Sequence, residues 1–161
     1  MNPPKICSSA KLRDSIHLRM AEDTFIGDNT TILVPELIMM EGSQINAGAI
    51  LAGRKRVFLD ENVVIGYGAI LLTATDTPDG DYMNDASPPE KREIREGPIT
   101  VCANAFIGSG ATIMPNVIIG ANSVIGVGCF INHDVPSNMI IRPRQRLVKT
   151  YRDDQGLFRS C

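Results

Sequence analysis

Residues 101–136 read VCANAFIGSGATIMPNVIIGANSVIGVGCFINHDVP, and this stretch decides the fold. An aliphatic side chain recurs at every sixth position, in register, at Val101, Ile107, Ile113, Ile119, Ile125 and Ile131. The fifth residue of each hexad is small or β-branched, and glycine often stands second. An α-helix repeats every ~3.6 residues and a flat strand every ~2, so a period of six predicts a solenoid of very short strands joined by tight turns.

Three such hexads make one triangular coil of a parallel β-helix. The aliphatic residue is expected to point inward and to stack on its equivalents in the coils above and below. The small residue leaves room where the chain turns a corner, and ladder hydrogen bonds run between coils. The same period occurs earlier, with slips, at Ile26, Ile32, Ile38, Ile45, Leu51, Leu59, Ile65 and Leu71.

The interruptions of the period predict how the single domain, residues 1–161, is organised. The faint repeat at the start predicts an irregular opening coil, and residues 54–58 and the long Asp-, Pro- and Glu-rich segment should leave the helix as loops. An open solenoid also needs a cap, because its last coil exposes strand edges. The expected parts are an opening coil at 1–23, hexapeptide coils at 24–76 and 99–136, a protruding loop at 77–98 and a short C-terminal cap in the tail 137–161.

Composition excludes several classes of protein. A net charge of -2 gives no general attraction to nucleic acid. No apolar run follows the N-terminal residues 1–5 as a signal peptide would require, and no stretch approaches the ~20 apolar residues that span a bilayer, so we expect a cytoplasmic protein. The four cysteines lie far apart with no CxxC pair, and with only two histidines in the chain we expect no metal.

Gly97-Pro98-Ile99, followed by residues 107–138 (IGSGATIMPNVIIGANSVIGVGCFINHDVPSN), resembles the hexapeptide-repeat acyltransferases. The likeness extends over about residues 26–149 and is greatest to the maltose and galactoside acetyltransferase branch with its xenobiotic relatives. It implies a left-handed parallel β-helix and a homotrimer with active sites between neighbouring subunits. It also implies acetyl-CoA as the acyl donor and a hydroxyl or amine of a sugar or related small acceptor as the target.

The chain departs from this family at the catalytic centre. Family members carry a histidine in phrases such as Thr-Ala-Thr-His-Pro, whereas this chain has Asp76 at that place, in Thr-Ala-Thr-Asp-Thr-Pro. An unperturbed aspartate has a pKa of ~3.9 and is a weak base. One hypothesis is that burial in the groove between subunits raises the pKa of Asp76 and restores some basicity. The alternatives are another base, namely His133, Asp79, Asp81 or Asp85, or a non-catalytic trimer that acts as a binding or scaffolding module.

The resemblance also assigns binding residues. Asn46 aligns with an acceptor-binding asparagine, although asparagine is also common in turns because it tolerates left-handed backbone conformations. The loop, with Asp85, is where the family shapes its acceptor pocket, unless it is a surface loop without function. His133 is either a cofactor contact or an exposed turn residue. The basic residues of the C-terminal tail either bind phosphate or form a solvated surface. His17 is expected to have a packing or surface role. The cofactor-binding candidates are Ser109, Gly110, Ala111, Val127, Asn132, His133, Arg146 and Lys149.

Overall fold

The chain folds into a left-handed parallel β-helix of about seven turns in the computed structural model, which describes residues 2–84, 86–143, 150–152 and 158–160. The strands are short because each must turn a corner before the next begins. In chain order they are β1 (Lys5–Ile6), β2 (Lys11–Leu12), β3 (His17–Met20), β4 (Phe25–Ile26), β5 (Thr31–Ile32), β6 (Glu36–Met39), β7 (Gln44–Ile45), β8 (Ile50–Ala52), β9 (Val57–Leu59), β10 (Val64–Ile65), β11 (Ile70–Leu72), β12 (Ala74–Asp76), β13 (Ile94–Glu96), β14 (Ile99–Val101), β15 (Phe106–Ile107), β16 (Thr112–Ile113), β17 (Ile118–Ile119), β18 (Val124–Ile125), β19 (Phe130–Ile131), β20 (Ile140–Ile141), β21 (Thr150–Arg152) and β22 (Phe158–Ser160).

Three parallel sheets form the sides of the prism. The first sheet contains β1, β4, β7, β10, β15, β18 and β20; the second contains β2, β5, β8, β11, β16 and β19; the third contains β3, β6, β9, β14 and β17. We call the turns from the first to the second sheet the first corner, and the turns from the second to the third sheet the second corner. Each strand therefore pairs with strands one coil away, and the fold class predicted from the hexads is confirmed.

The core is the stack of hexad residues. Ile107, Ile113, Ile119 and Ile125 are fully buried, and so are the small residues Ala111 and Ser123 that stand at the turns. The equivalent residues of the earlier coils are buried too, with one correction. In β6 the inward residues are Leu37 and Met39, and Ile38 faces outward. Strand alternation places neighbours on opposite faces. The hexad residue of β6 is therefore Met39, and the one-residue slip falls between Ile32 and Met39, one hexad earlier than expected.

Glycine at the second hexad position is explained by the spacing of the coils. A Cβ on Gly66 would lie 2.6 Å from the carbonyl oxygen of Ile107, and a Cβ on Gly108 would lie 2.6 Å from the amide nitrogen of Val127. Both contacts are with backbone of the following coil, which cannot move without breaking its own hydrogen bonds. Glycine is therefore required by coil-to-coil packing at Gly66 and Gly108.

The first 23 residues differ from the irregular coil that we expected. β1, β2 and β3 form a complete coil, in register with the next one through the pairs Lys5 with Phe25, Leu12 with Ile32 and Leu18 with Leu37. Leu12 and Leu18 pack against the core from one side only. A terminal coil needs fewer apolar residues, and this accounts for its faint sequence pattern.

The protruding loop also begins earlier than expected. β12 and β13 pair as an antiparallel hairpin that contains a short 3-10 helix, Pro89–Lys91, and the chain leaves the coil at Thr73. The amide of Gly97 donates to the carbonyl of Thr73 at 3.0 Å and closes the neck of the hairpin.

At the other end, β20 pairs with β18, so the coils continue beyond residue 136. β21 and β22 pair with each other in antiparallel fashion, but much of the predicted cap, at 144–149 and 153–157, lies outside the described residues. Among the helices of the described part of the chain, none is long and apolar enough to cross a membrane.

Candidate active site

Asp76 lies at the second corner, where the hairpin leaves the fourth coil. It ends β12, directly after the second-sheet strand β11. A cleft of about 310 Å³ opens here between the hairpin and the corners of the two preceding coils. Its walls are formed by Leu33, Ala52, Gly53, Arg54, Ala74, Thr75, Asp76, Arg92 and Ile94.

A two-point ion pair holds the Asp76 carboxylate in place. Arg92 donates from Nε to Oδ1 and from Nη2 to Oδ2, each at 2.7 Å. The Arg92 side chain is 6% exposed and that of Asp76 is 23% exposed, so the carboxylate still reaches the cleft. Planar guanidinium and carboxylate groups match in this geometry, and the pair fixes the orientation of Asp76.

Within the single chain, the pKa of Asp76 is lowered, not raised. The hydrogen bonds from Arg92 hold the pKa of Asp76 below its ordinary value; partial burial acts in the opposite direction, and the charges of Arg92 and Arg54 add to the lowering. Asp76 is therefore ionised at neutral pH and is a poorer proton acceptor than a free aspartate. Its chemistry is that of a fixed negative charge that accepts hydrogen bonds.

This lowered pKa predicts a pH-dependent stability. Because the folded pKa lies below the unfolded one, the pair stabilises the protein fully above the unfolded pKa of ~3.9 and loses its contribution as the pH falls through the folded value. Wild type should be more stable than Asp76→Asn in urea unfolding at about pH 7, and the difference should shrink towards about pH 3. Glu41→Gln, a change at an exposed carboxylate, serves as the control. A difference that stays constant with pH would contradict the assignment.

Most of the other candidates lie at the first corner. Asn46 follows β7, Ser109–Ala111 follow β15 and Val127 follows β18. These turns are stacked, since the Gly110 amide donates to the Tyr67 carbonyl at 2.9 Å and the Gly128 amide donates to the Ser109 carbonyl at 3.0 Å. Within one chain, the structure therefore gathers these residues on one line and places Asp76 on another, across the second sheet.

Asn46 does not take the left-handed conformation that would explain it as a turn residue. Gly48 takes that conformation in the same turn, with φ of 73°. The Asn46 backbone belongs to the ladder, with its amide donating to the Ile65 carbonyl at 2.9 Å. The turn chemistry therefore does not explain the asparagine side chain, which is half-buried.

The first corner carries a strip without side chains. Gly68, Gly110 and Gly128 all have positive φ, and no atom lies within 4 Å of the place where a Cβ would stand on any of them. Tyr67 and Val127 border the strip and are more than half exposed. A thin, flexible ligand could lie along such a strip and meet mainly backbone.

Asn132 and His133 lie at the second corner, two coils beyond Asp76. Arg95 of the hairpin donates from Nη2 to the Asn132 carbonyl at 2.7 Å, and His133 Nδ1 lies 2.8 Å from Asn132 Oδ1. Both residues are exposed. His17 lies in β3 of the first coil, is exposed and does not line the cleft.

Three candidates, Asp85, Arg146 and Lys149, lie outside the described residues. Asp79 and Asp81 are described and line a separate cavity of about 200 Å³ on the hairpin. In the described ranges, no group of three His, Cys, Asp or Glu side chains could hold a metal ion.

Sequence reasoning missed Arg92 and Arg54 as site residues. Arg92 stands in the charged run Glu90–Glu96, where there is no period to indicate which side chain turns back towards Asp76. Arg54 carried a signal, since residues 54–58 interrupt the hexads. A break in a solenoid repeat at the same corner as the candidate catalytic residue could have identified it.

The comparisons with known proteins agree with the fold. The family model for the bacterial transferase hexapeptide (six repeats) matches residues 98–133. The galactoside O-acetyltransferase of Escherichia coli (strain K12) is 28% identical over 121 residues, which are 71% of this chain and 57% of that protein. The enzyme of the same name from Lactococcus lactis is 26% identical over 132 residues, 77% of this chain and 61% of that protein. The chain thus spans about three fifths of the length of these curated relatives.

Among solved structures, the N-acyltransferase AntD from Bacillus cereus, in complex with dTDP and 3-hydroxybutyryl-CoA, superposes with a TM-score of 0.71. It is 19% identical, and the match covers 84% of this chain and 72% of that one. A hexapeptide-repeat acetyltransferase from Vibrio cholerae, complexed with acetyl coenzyme A, gives a TM-score of 0.52 at 22% identity, over 86% and 65% of the two chains. The matched repeats and the stacked coils show a left-handed β-helix of hexapeptide repeats, and the sequence is similar to the galactoside O-acetyltransferases.

Proposed function

We propose that the protein is a CoA-dependent acyltransferase that moves an acetyl group from the thioester to an amine or hydroxyl of a sugar or related small acceptor. The observation that carries the proposal is the Asp76 carboxylate, fixed by Arg92 at the mouth of a cleft of about 310 Å³. By the resemblance, it stands at the position of the family's catalytic histidine. The names of the similar galactoside O-acetyltransferases also support this reaction class.

The charge of Asp76 favours an amine as the acceptor. A hydroxyl must lose a proton to become a good nucleophile, and a carboxylate with a lowered pKa is poorly suited to remove it. A neutral amine needs no such help. Its nitrogen attacks the thioester carbonyl carbon, the carbon–sulfur bond breaks, and the proton released from nitrogen ends on the CoA thiol. Asp76 accepts a hydrogen bond from the attacking amine and steadies the positive charge that forms on it.

The strip at the first corner suits the acyl donor. A pantetheine arm is narrow and rich in amide groups, and the strip of Gly68, Gly110 and Gly128 offers space free of side chains. Ser109, Ala111 and Val127 lie on the same line, with Asn132 and His133 at the second corner. Two structural neighbours were solved with 3-hydroxybutyryl-CoA and acetyl coenzyme A. In the proposal, acetyl-CoA lies along this strip and Arg146 and Lys149 meet its nucleotide end.

The separation of the two corners supports a homotrimer, which we propose acts in the cytoplasm. Asn46 and the strip are on one side of the second sheet and Asp76 is on the other. A neighbouring subunit that applies its first corner to this chain's second corner would complete a site with donor, acceptor and Asp76 together. We also propose that Asp85 contacts the acceptor.

A calorimetric titration with acetyl-CoA tests the donor site. Wild type should bind, and the Arg146→Ala, Lys149→Ala double variant should bind at least about tenfold more weakly, since two charge-assisted phosphate contacts are lost. Lys5→Ala, Lys11→Ala removes the same charge from the first coil and should bind as wild type does. No binding at about millimolar acetyl-CoA would contradict the proposal.

A second candidate is a non-catalytic binding or scaffolding module, and the engagement of Asp76 by Arg92 favours it. The release of CoA thiol, followed with sugar amines and sugar alcohols as acceptors, separates the two. If acetyl-CoA binds but no acceptor causes release of the CoA thiol, the protein is a binding or scaffolding module. Activity gained in Asp76→His would then indicate that the histidine alone is lacking.

A further inference from the structure

The second corner of the third coil carries extra residues that the β-helix does not need. Gln44 pairs with Val64, whereas in the regular coils Phe106 pairs with Val124, so the third coil is longer than a regular one. The added length forms a loop with three consecutive basic residues, Arg54, Lys55 and Arg56, which we call the basic segment. All three are exposed.

The backbone of the basic segment is held in one conformation. The Lys55 amide donates to the buried Thr73 Oγ1 at 3.1 Å, and the Arg56 carbonyl accepts from the Ile99 amide at 3.1 Å. Gly53, which leads into the segment, has φ of 127° and packs so closely on Thr73 that a Cβ would overlap it. A conformation tied to buried groups at both ends is already formed before any ligand arrives.

Two clefts meet at the basic segment. The Asp76 cleft includes Arg54, and a second cleft of about 440 Å³ is formed by Pro35, Glu36, Arg54, Lys55, Arg56 and Pro98. Arg54 belongs to both. One ligand of ordinary size could therefore have one group at Asp76 and another at the basic segment, since small-molecule sites usually have volumes of this order.

The charges along the two clefts do not cancel. Four basic side chains, Arg54, Lys55, Arg56 and Arg92, face two acidic ones, Asp76 and Glu36. Arg92 is engaged by Asp76, and Lys55 is engaged by Glu96 at 2.9 Å. For the Arg56 guanidinium, the described part of the chain shows no hydrogen bond or ion pair. The excess positive charge therefore lies in the second cleft, beyond Arg54 as seen from Asp76.

We propose that the basic segment binds an anionic group of the acceptor, such as a phosphate, while Asp76 receives the acceptor's amine. The proposal rests on the acyltransferase function and names its substrate class, an aminosugar or similar amine that carries a phosphate. Phosphate has three oxygens that accept hydrogen bonds, and guanidinium groups bind such oxygens in pairs. A neutral sugar would gain nothing from the basic segment.

Binding without a donor tests this proposal, because it requires no turnover. Glucosamine 6-phosphate and glucosamine are titrated into the full-length protein by calorimetry. The phosphate compound should bind at least about tenfold more tightly in wild type, and Arg56→Glu should remove that preference. Lys11→Glu makes the same charge change at an exposed lysine of the first coil and should leave the preference intact. The CD spectrum of each variant verifies its fold.

The outcomes separate the basic segment from the acyltransferase function. Equal affinity for the two sugars, no binding of either, or a preference that survives Arg56→Glu would overturn the basic segment as an acceptor site. The phosphate of CoA is the competing source of the same chemistry, so CoA is titrated into the same variants. A loss of CoA affinity in Arg56→Glu with an unchanged sugar preference would also overturn the proposal. A phosphate preference without acetyl transfer would support the site and contradict the function.

Discussion

Asp76→Asn should lower kcat/KM for acetyl transfer by at least about a hundredfold. Asparagine has the same size, but it carries no charge and cannot accept hydrogen bonds from Arg92 at both positions. The nearly buried guanidinium loses its carboxylate partner, and the cleft loses the negative charge that offsets Arg54 and Arg92. The amine acceptor then meets repulsion where it met attraction. Thiol release at saturating acetyl-CoA, with the acceptor varied, measures the effect.

Two further sets of variants make the Asp76 result specific. Glu41→Gln removes an exposed carboxylate at a corner away from the cleft and should leave kcat/KM unchanged. Asp79→Asn and Asp81→Asn test whether a base lies in the separate cavity of the hairpin. If Asp76→Asn turns over like wild type, or if Asp79→Asn or Asp81→Asn loses turnover, Asp76 is not the catalytic residue.

Gly66→Ala should destabilise the protein by about 3 kcal/mol and lower Tm by about 10 °C. The new Cβ would stand 2.6 Å from the Ile107 carbonyl oxygen and 2.6 Å from the Ser109 amide nitrogen, so two coils would have to separate. That separation would stretch ladder hydrogen bonds such as the 2.7 Å bond from the Gly66 amide to the Ile107 carbonyl. Thermal unfolding followed by CD measures the change.

Gly68→Ala is the matched control, two residues along the same turn. Gly68 has φ of 62°, and no atom lies within 4 Å of the place of its Cβ. Alanine there costs about 1–2 kcal/mol for the left-handed conformation, part of which is offset because alanine restricts the unfolded chain. If both variants lose the same stability, backbone strain rather than coil spacing would explain the glycines.

The hexads predicted the core well because stacking in a solenoid is local and periodic. Ile107, Ile113 and Ile119 each meet the equivalent residue of the neighbouring coil, so a single rule along the chain covers all of them. The pattern was faint in the first coil, which has only one neighbour, and the rule failed where a coil changes length. In β6, Leu37 and Met39 are inward, although Ile38 fitted the count better.

The site could be predicted only in part. The resemblance selected Asp76 as the candidate, because a phrase of sequence carried over with one substitution. The charge partner could not be found in this way, since Arg92 is sixteen positions further on, in a hairpin without a period. In the single chain, Arg92 sets the direction of the Asp76 pKa shift, and nothing in the sequence indicated this partner.

The closed neck of the hairpin separates the segment that carries Asp76 from the coils of the β-helix. Gly97 and Thr73 meet by a hydrogen bond of 3.0 Å, and β14 resumes the third sheet in register with β9, so the coil is continuous whatever the chain does between them. Residues 74–96 are thus an insertion whose length or sequence can change with little loss of stability in the β-helix core. If the proposed function holds, exchange of this one hairpin would change the acceptor without disturbing the coils, and a graft between hexapeptide proteins is best made at these two residues.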